Sequence, residues 1–230
     1  MIGIIGAMQI ETEALISMLD EKHVDVISGK EYCRGKLFGV EVVICTCGIG
    51  KVFAAIAAEA MILRYSPSLI INTGVAGALS DKLDVTDVVV SENVVQHDMD
   101  TSPIGDPVGL ISGINKIYFD ADKEASLALS QITKGLGINV LVGTVASGDQ
   151  FISGKEAKDR IKVLFPTAAC CEMEGGAIGH VCYINNTPFA VLRAISDKAD
   201  GTGSMDYMQF CKIAAEHSVK VLCEFIKTKA

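Results

Sequence analysis

The sequence has no cluster of basic residues and no apolar run long enough to cross a membrane. Its 28 acidic residues outnumber its 20 basic ones, which gives a net charge of -8. Because nucleic acids and anionic membranes bind to clustered lysine and arginine, neither is an expected partner. The first residues also lack the basic segment and the apolar segment of a signal peptide, so we expect a cytoplasmic protein.

The cysteines and histidines lack the spacings of a disulfide framework or a zinc site. The eight cysteines include no CxxC pair, and none of the four histidines has ligand spacing to a cysteine. Most of the cysteines lie inside apolar runs, as reduced core residues do. We therefore expect no disulfide, no bound metal and no other cofactor.

Short runs rich in β-branched residues alternate with segments of helical periodicity along the chain. The strand-like runs begin at Ile2, Val40, Ser68, Asp87, Asn139 and Phe189. The helix-like segments span residues 10–19, 52–65, 123–136, 155–164, 175–183 and 205–227. This alternation predicts an α/β fold with a largely buried sheet covered by helices on both faces. Since no repeat or linker interrupts the 230 residues, we expect a single domain, residues 1–230.

One segment, residues 97–118, is rich in glycine and proline and is too long for an ordinary connection in a compact domain. Such a loop is functional, a subunit contact or a surface excursion, and the sequence alone does not choose among these.

Acidic residues follow several of the predicted strands. Glu11 comes after the first strand, Glu172 and Glu174 after an apolar run, and Asp197 at the end of another. Ligands collect at the carboxyl ends of strands in α/β sheets, and sugar hydroxyls are good donors to carboxylates. An aspartic acid facing an apolar pocket can also hold a proton for general acid catalysis. The alternative for each residue is structural, as a helix-start acid or a turn cap.

Two glycine-containing turns and one aromatic residue also follow strands. The turns at residues 47–55 and 72–79 match neither a Walker loop nor a dinucleotide fingerprint, so tight turning and packing room explain them as well as ligand approach does. Phe151, in the segment ASGDQFI, is placed to stack on a flat heterocycle, although filling a gap in the core is an equal alternative.

Taken together, these motifs resemble the nucleoside phosphorylase superfamily along essentially the whole chain. The resemblance rests on GIIGAM with Glu11, the turn NTGVAG, SGDQF with Ile152, EMEGGA and RAISD, in this order. Within the superfamily, the pairing of EMEGGAI with VLRAISD is most similar to the 5′-methylthioadenosine/S-adenosylhomocysteine nucleosidases. The resemblance implies a three-layer α/β/α sandwich with a central mixed, twisted sheet, and a homodimer.

The resemblance also implies the role of each site residue. Asp197 would protonate N7 of adenine, and Glu11 would bind and polarise the attacking water. The expected substrate-binding residues would hold the nucleoside: Glu174 and Met173 at the ribose, Phe151 and Ile152 at the base, Ser196 beside Asp197, Arg193 at the water site, Tyr207 on the 5′ side, and Glu172, Ala76, Gly77 and Ile49 around them.

Water is the expected nucleophile, because phosphorylases of this superfamily hold phosphate with arginines where this chain has Glu11 and an arginine-free NTG turn. We therefore predict release of adenine from methylthioadenosine, S-adenosylhomocysteine or 5′-deoxyadenosine. Val75 departs from the serine that most relatives have in the NTG turn, and the long loop carries Thr101, Ile104 and Asp106 where aromatic and aliphatic residues are more usual. The alternatives are a phosphate-dependent phosphorylase, a nucleosidase of futalosine-type substrates, and a binding protein that has lost catalysis.

Overall fold

The structure is a computed structural model that describes residues 1–201 and 207–230, with the side chains of residues 207–209 excepted. In this part of the chain, ten strands belong to one sheet and six α-helices pack around it. The strands are β1 Ile2–Gly6, β2 Asp20–Ile27, β3 Lys30–Leu37, β4 Val40–Thr46, β5 Leu69–Ala78, β6 Val88–Gln96, β7 Tyr118–Asp120, β8 Val140–Ser147, β9 Ala168–Glu172 and β10 Phe189–Asp197. The helices are α1 Gln9–Ser17, α2 Lys51–Tyr65, α3 Lys123–Gly135, α4 Lys155–Leu164, α5 Gly175–Ile184 and α6 Tyr207–Lys227.

The sheet is mixed, as predicted, and part of it closes on itself. Strand β5 pairs in parallel with both β1 and β10, and β10 continues through β6, β8 and β9 back to β5. The strands β1, β4, β3 and β2 extend from β5 as an open wing. Strands β5 and β9 pair only through Gly77–Cys171 and Ala78–Cys170, so the carboxyl ends of these two antiparallel strands meet.

Helices cover both faces of the sheet and separate the apolar core into layers, which confirms the three-layer arrangement. One cluster of buried side chains joins the sheet to α2 and α5, with Ala57, Met61 and Ile178 among its members. A second joins the opposite face to α1, α3 and α6, with Leu15 and Phe225 among its members. The periodicity of α6 accounts for this packing: its buried positions are Cys211, Ala214, Ala215, Ser218, Val221, Leu222, Phe225 and Ile226.

The sequence does not predict the edge strand β2 or its antiparallel pairing with β3. Strand β2 is the outermost strand, and most of its residues are exposed, so it lacks the apolar alternation that marks a half-buried strand. The hairpin that joins β2 to β3 turns at Ser28 and Gly29, both with positive φ. Such two-residue turns fit the twist of the flanking strands. Among the helices, α1 ends at Ser17 rather than at Leu19.

The long connection predicted at residues 97–118 lies between β6 and β7. It contains a short 3₁₀ helix, Ser102–Ile104, and a single bridge between Ile111 and Lys116. Seven of the eight cysteines, all but Cys223, are buried, which agrees with the expectation that they lie in the core. None of the helices in the described part of the chain is long and apolar enough to span a membrane.

Candidate active site

A cleft opens where the ends of β1, β5, β8, β9 and β10 converge, with about 580 Å³ of empty space that is partly open to solvent. Its lining brings together segments from the whole length of the chain: Ala7, Met8, Glu11, Ile49, Val75, Ala76, Gly77, Gln150, Phe151, Ile152, Cys171, Glu172, Met173, Glu174, Ser196 and Asp197. Closure of the strand ring holds the ends of β5, β8, β9 and β10 next to one another, and the parallel pairing of β1 with β5 adds the end of β1.

Glu11 is buried on the floor of the cleft although it lies in the first turn of a helix. Its Oε2 accepts hydrogen bonds from the backbone N–H of Ala7 (2.7 Å) and Met8 (2.9 Å), and its Oε1 accepts one from Val75 N–H (3.1 Å). The side chain is fixed by backbone donors and is not a solvated helix-start acid. Burial raises the pKa of Glu11, and the nearby Arg193 charge and the backbone donors oppose that rise.

Arg193 lies behind the cleft wall and is 1% exposed. Its Nη2 donates to Asn72 Oδ1 (2.6 Å), to Glu174 Oε2 (3.3 Å) and to Glu172 Oε2, with which it forms a close ion pair. Burial disfavours the guanidinium charge, but the surrounding carboxylates outweigh it and raise the pKa of Arg193, which therefore stays cationic. A Cβ on Gly74 would lie 2.5 Å from Glu11 Oε1 and even nearer to Arg193, so only glycine fits between β5 and these charges.

Glu172 and Glu174 lie on the same turn but differ in how fully protein donors occupy them. Glu172 accepts from Ser147 Oγ, from the N–H groups of Glu174 and Gly175, and from Arg193. Glu174 accepts from Gly50 N–H (2.9 Å) on Oε1 and from Arg193 on Oε2. Glu172 is therefore saturated by the protein, whereas Glu174 keeps acceptor capacity toward the cleft.

Burial and the neighbouring carboxylates also set the protonation of Glu174. Desolvation raises its pKa to about 7, with a further contribution from the Glu172 charge and with the Arg193 charge acting in the opposite direction. One positive charge thus lies beside three buried carboxyl groups, and Glu174 carries a proton for part of the time at neutral pH.

Asp197 lies at the other side of the cleft, at the end of β10. The pairing of β10 with β5 shifts register between Ile195 and Asp197, and such an irregularity redirects the side chains that follow. Ser196 Oγ donates to Asp197 Oδ2 (2.9 Å), and Ala199 N–H donates to Oδ1 (2.8 Å). The neighbouring Lys198 instead pairs with Asp84 (2.6 Å) outside the cleft.

Apolar side chains form the mouth of the cleft. Phe151 is 58% exposed and Ile49 55% exposed, while Ile152 is buried beneath them and Met173 is half-buried. Phe151 therefore does not fill a core gap, and its ring is presented at the opening. The small residues Ala76 and Gly77 leave room on the opposite wall.

The structure places most of the expected site residues around this one cleft. Arg193 contacts Glu172 and Glu174 from behind, and Tyr207 belongs to α6, but its side chain is outside the described residues. Residues without an expected role that line the cleft or contact its acids are Ala7, Met8, Gln150, Cys171, Asn72 and Ser147. Each of these residues lies in or next to a quoted motif in the sequence, and that position is the signal by which it could have been predicted to belong to the site. Within the described part of the chain, no group of three histidine, cysteine or acidic side chains is arranged to hold a metal ion.

Comparison with known proteins gives the chain its family. Residues 1–227 match the family model of the phosphorylase superfamily. The chain is similar to S-adenosylhomocysteine nucleosidase from Streptococcus pyogenes, solved in complex with 5-methylthiotubericidin, at 33% identity and a TM-score of 0.94 over 100% of this chain and 97% of that one. It is also similar to 5′-methylthioadenosine/S-adenosylhomocysteine nucleosidase from Neisseria meningitidis, solved in complex with methylthio-immucillin-A, at 33% identity and a TM-score of 0.95 over 99% and 98% of the two chains.

A third similar structure belongs to a hydrolase that is named for a different substrate. Futalosine hydrolase of Helicobacter pylori is 31% identical, with a TM-score of 0.92 over 100% of this chain and 97% of that one. The match to the family model covers nearly the whole sequence, and these similar proteins are all named as nucleosidases or hydrolases. The chain therefore belongs to the phosphorylase superfamily and, within it, to the nucleosidases, which are N-glycosyl hydrolases.

Proposed function

We propose that this protein hydrolyses the N-glycosidic bond of 5′-methylthioadenosine and S-adenosylhomocysteine, and also of 5′-deoxyadenosine, to release adenine. One observation carries the proposal: a cleft holds a fixed, buried carboxyl group, Glu11, on one side and Asp197 on the other. A sugar bound between them would have one acid at the nucleophile and one at the leaving base.

Asp197 is the proposed general acid. Each of its oxygens accepts one hydrogen bond from the protein, which leaves capacity for a proton or for a donor on the purine. A proton delivered to N7 lets adenine leave as a neutral molecule rather than as an anion. Phe151 at the mouth and Ile152 beneath it would hold the base plane next to this group.

Glu11 is the proposed base for the attacking water. Three backbone N–H groups fix its carboxyl group, so a water bound to Oε1 would be held in one orientation. Its pKa is raised by burial, which makes it a better proton acceptor than an exposed glutamate. Glu174 would accept the sugar hydroxyls, and its negative charge would stabilise the cationic sugar of the transition state.

Water is favoured over phosphate by the charge of the site. Three carboxyl groups surround Arg193, and its Nη2 already donates to Glu172, Glu174 and Asn72. A phosphate dianion requires a surplus of fixed positive charge, which these neighbours do not supply. This argument supports hydrolysis over phosphorolysis.

Futalosine-type nucleosides are the second candidate substrates, because a futalosine hydrolase is similar to this chain over its whole length. Methylthioadenosine, S-adenosylhomocysteine, 5′-deoxyadenosine and futalosine would each be incubated with the protein, with and without phosphate, and the released bases identified. We expect phosphate-independent release of adenine from the first three. Release of base from futalosine alone would reassign the substrate, and release only with phosphate would reassign the reaction.

We also propose that the chain forms a homodimer and acts in the cytoplasm in methionine salvage, an amino-acid biosynthetic role. Support for the dimer comes from exposed apolar side chains at helical spacing on α2, where Val52 is 70% and Leu63 73% exposed, with Ile56 between them. Exposed apolar stripes of this kind are typical of protein interfaces. Light scattering coupled to size exclusion would test the dimer, and the mass of a single 24.3 kDa chain would contradict it.

A further inference from the structure

Three residues outside the cleft lining form a closed set of contacts beside it, through their side chains and two backbone N–H groups. Lys51 Nζ pairs with Asp98 Oδ1 (2.6 Å), Asp98 Oδ2 accepts from Asp149 N–H (2.9 Å), and Asp149 Oδ1 accepts from Lys51 N–H (2.7 Å). The three residues come from the start of α2, from the long loop after β6 and from the segment after β8. This set is called the Lys51–Asp98–Asp149 clamp below.

The ion pair between Lys51 and Asp98 is largely shielded from solvent, whereas Asp149 is exposed. The side chains of Lys51 and Asp98 are only 17% and 19% exposed, and Lys51 Nζ makes a further contact with Gln96 Oε1 (3.3 Å). Burial alone would raise the pKa of Asp98, but the hydrogen bonds from Lys51 and from Asp149 N–H outweigh burial and lower it. An ion pair of this kind is screened less and held more rigidly than an exposed pair.

Each end of the clamp adjoins a wall of the cleft. Gly50, directly before Lys51, donates its N–H to Glu174 Oε1, the proposed ribose-binding carboxylate. Asp149 directly precedes the segment that carries Phe151 and Ile152, the proposed base-binding side chains. A fixed distance between Lys51 and Asp149 therefore fixes the sugar wall relative to the base wall.

The local backbone is built for this contact. Gly50 has a φ of 103°, and a Cβ there would lie 3.1 Å from Asp149 Oδ1, so the close approach favours glycine. Gly50, the residue before α2, has no side chain that could accept a hydrogen bond from the first N–H groups of the helix. The Asp149 carboxylate supplies that acceptor from another segment, at the end of the helix where negative charge is favoured.

We propose that Lys51, Asp98 and Asp149 are positioning residues that set the spacing between the ribose carboxylate and the base-binding segment. None of the three lines the cleft, so they would act through Gly50 and through the segment after Asp149. The expected effect on catalysis rests on the proposed function. The expected effect on ligand affinity requires only that the cleft binds adenine.

Lys51→Met tests the clamp, because it removes the ammonium and keeps an apolar chain of similar length. We would measure kcat and KM for methylthioadenosine, and the Kd for adenine by calorimetry, which needs no turnover. Lys51→Arg restores a cation at the same place, and Lys36→Met makes the same lysine-to-methionine change at an exposed ion pair on the edge hairpin as a control. Circular dichroism and the Tm would establish that each variant is folded.

We expect Lys51→Met to lower kcat/KM by about 10-fold to 100-fold and to weaken adenine binding, since small displacements of positioned groups have effects of this size. Lys51→Arg should recover most of both losses, and Lys36→Met should change neither. Combining Lys51→Met with Asp98→Asn should add little to the larger single effect, because residues that act as a unit are not additive.

Two results would overturn the inference: a lower Tm with unchanged kcat/KM and unchanged adenine affinity, or fully additive effects in the double variant. Failure of the proposed function looks different, since the parent protein would then bind adenine without cleaving methylthioadenosine. In that case, unchanged adenine affinity in Lys51→Met would still overturn the clamp, and weakened affinity would support it.

Discussion

The side chains on the two sides of the cleft differ in how deeply they are buried and in how many protein groups hold them. On the nucleophile side, Glu11, Glu174 and Arg193 are nearly inaccessible and engaged by backbone donors or by one another. On the base side, Phe151 is mostly exposed, and each oxygen of Asp197 accepts one hydrogen bond from a neighbour close in sequence. If the proposed function holds, the protein fixes the charges around the sugar before the substrate binds, whereas the ligand completes the wall that holds the base.

The largest effect should come from the base side, with Asp197→Asn. An amide cannot deliver a proton, and general acid catalysis is worth about 10² to 10⁴ in rate. Turnover of methylthioadenosine should therefore fall by that factor while adenine affinity stays largely intact. Steady-state kinetics and calorimetry would test this, and parental turnover in the variant would remove Asp197 from the acid role.

On the nucleophile side, Glu11→Gln should also reduce kcat strongly, because the amide cannot take a proton from water. One oxygen remains to accept from the backbone, but the amide nitrogen must then face backbone N–H groups, so a modest fall in Tm should accompany the loss. Asp197→Asn should not share that fall, since its surroundings are less crowded. If Glu11→Gln keeps full activity, the water is activated elsewhere.

The motifs that follow strands could be predicted from sequence because a strand end fixes where the next side chain lies. Glu11, Glu174 and Asp197 could be found in this way, and so could the layers of the fold. The saturation of Glu172 could not, because four protein donors converge on it through tertiary contacts. Lys51 and Asp98 belong to none of the quoted motifs, and Asp149, although part of SGDQF, gives no sign in the sequence of its contact with α2. The edge strand β2 lacks the apolar alternation on which prediction depends.

Dependence on pH should distinguish the two sides through Glu174, whose pKa is raised to about 7 from an ordinary 4.5. Because the folded state binds this proton more tightly than the unfolded chain does, the stabilisation is complete below 4.5 and is lost as pH rises through about 7. Activity should change in the opposite direction, since the ionised form accepts the sugar hydroxyls.

Denaturant unfolding and kcat/KM, both followed from pH 5 to 8, would test this prediction with Glu174→Gln as the control. The variant should lose most of its activity, and its unfolding free energy should decline less with pH than that of the parent. If the unfolding free energy changed with pH equally in the two proteins, the raised pKa of Glu174 would be contradicted.

The smallest expected effect concerns Val75, which lines the cleft and donates its N–H to Glu11. Val75→Thr keeps the shape and adds a hydroxyl near the proposed water. One added hydrogen bond is worth about 0.5–1.5 kcal/mol, so kcat should rise by no more than about 10-fold. Val75→Ala controls for lost packing and should not raise kcat; an equal rise in both variants would exclude the hydroxyl as the cause.

The origin of the new oxygen on the sugar tests the central claim most directly. Methylthioadenosine would be cleaved in phosphate-free water enriched in a heavy oxygen isotope, and both products analysed by mass spectrometry. Attack by water held at Glu11 predicts cleavage without phosphate, with one heavy oxygen in the sugar and none in the adenine. The sugar would be reduced with borohydride at once, because the free sugar otherwise exchanges its anomeric oxygen with the solvent. Absence of cleavage until phosphate is added, followed by formation of a sugar phosphate, would contradict the account.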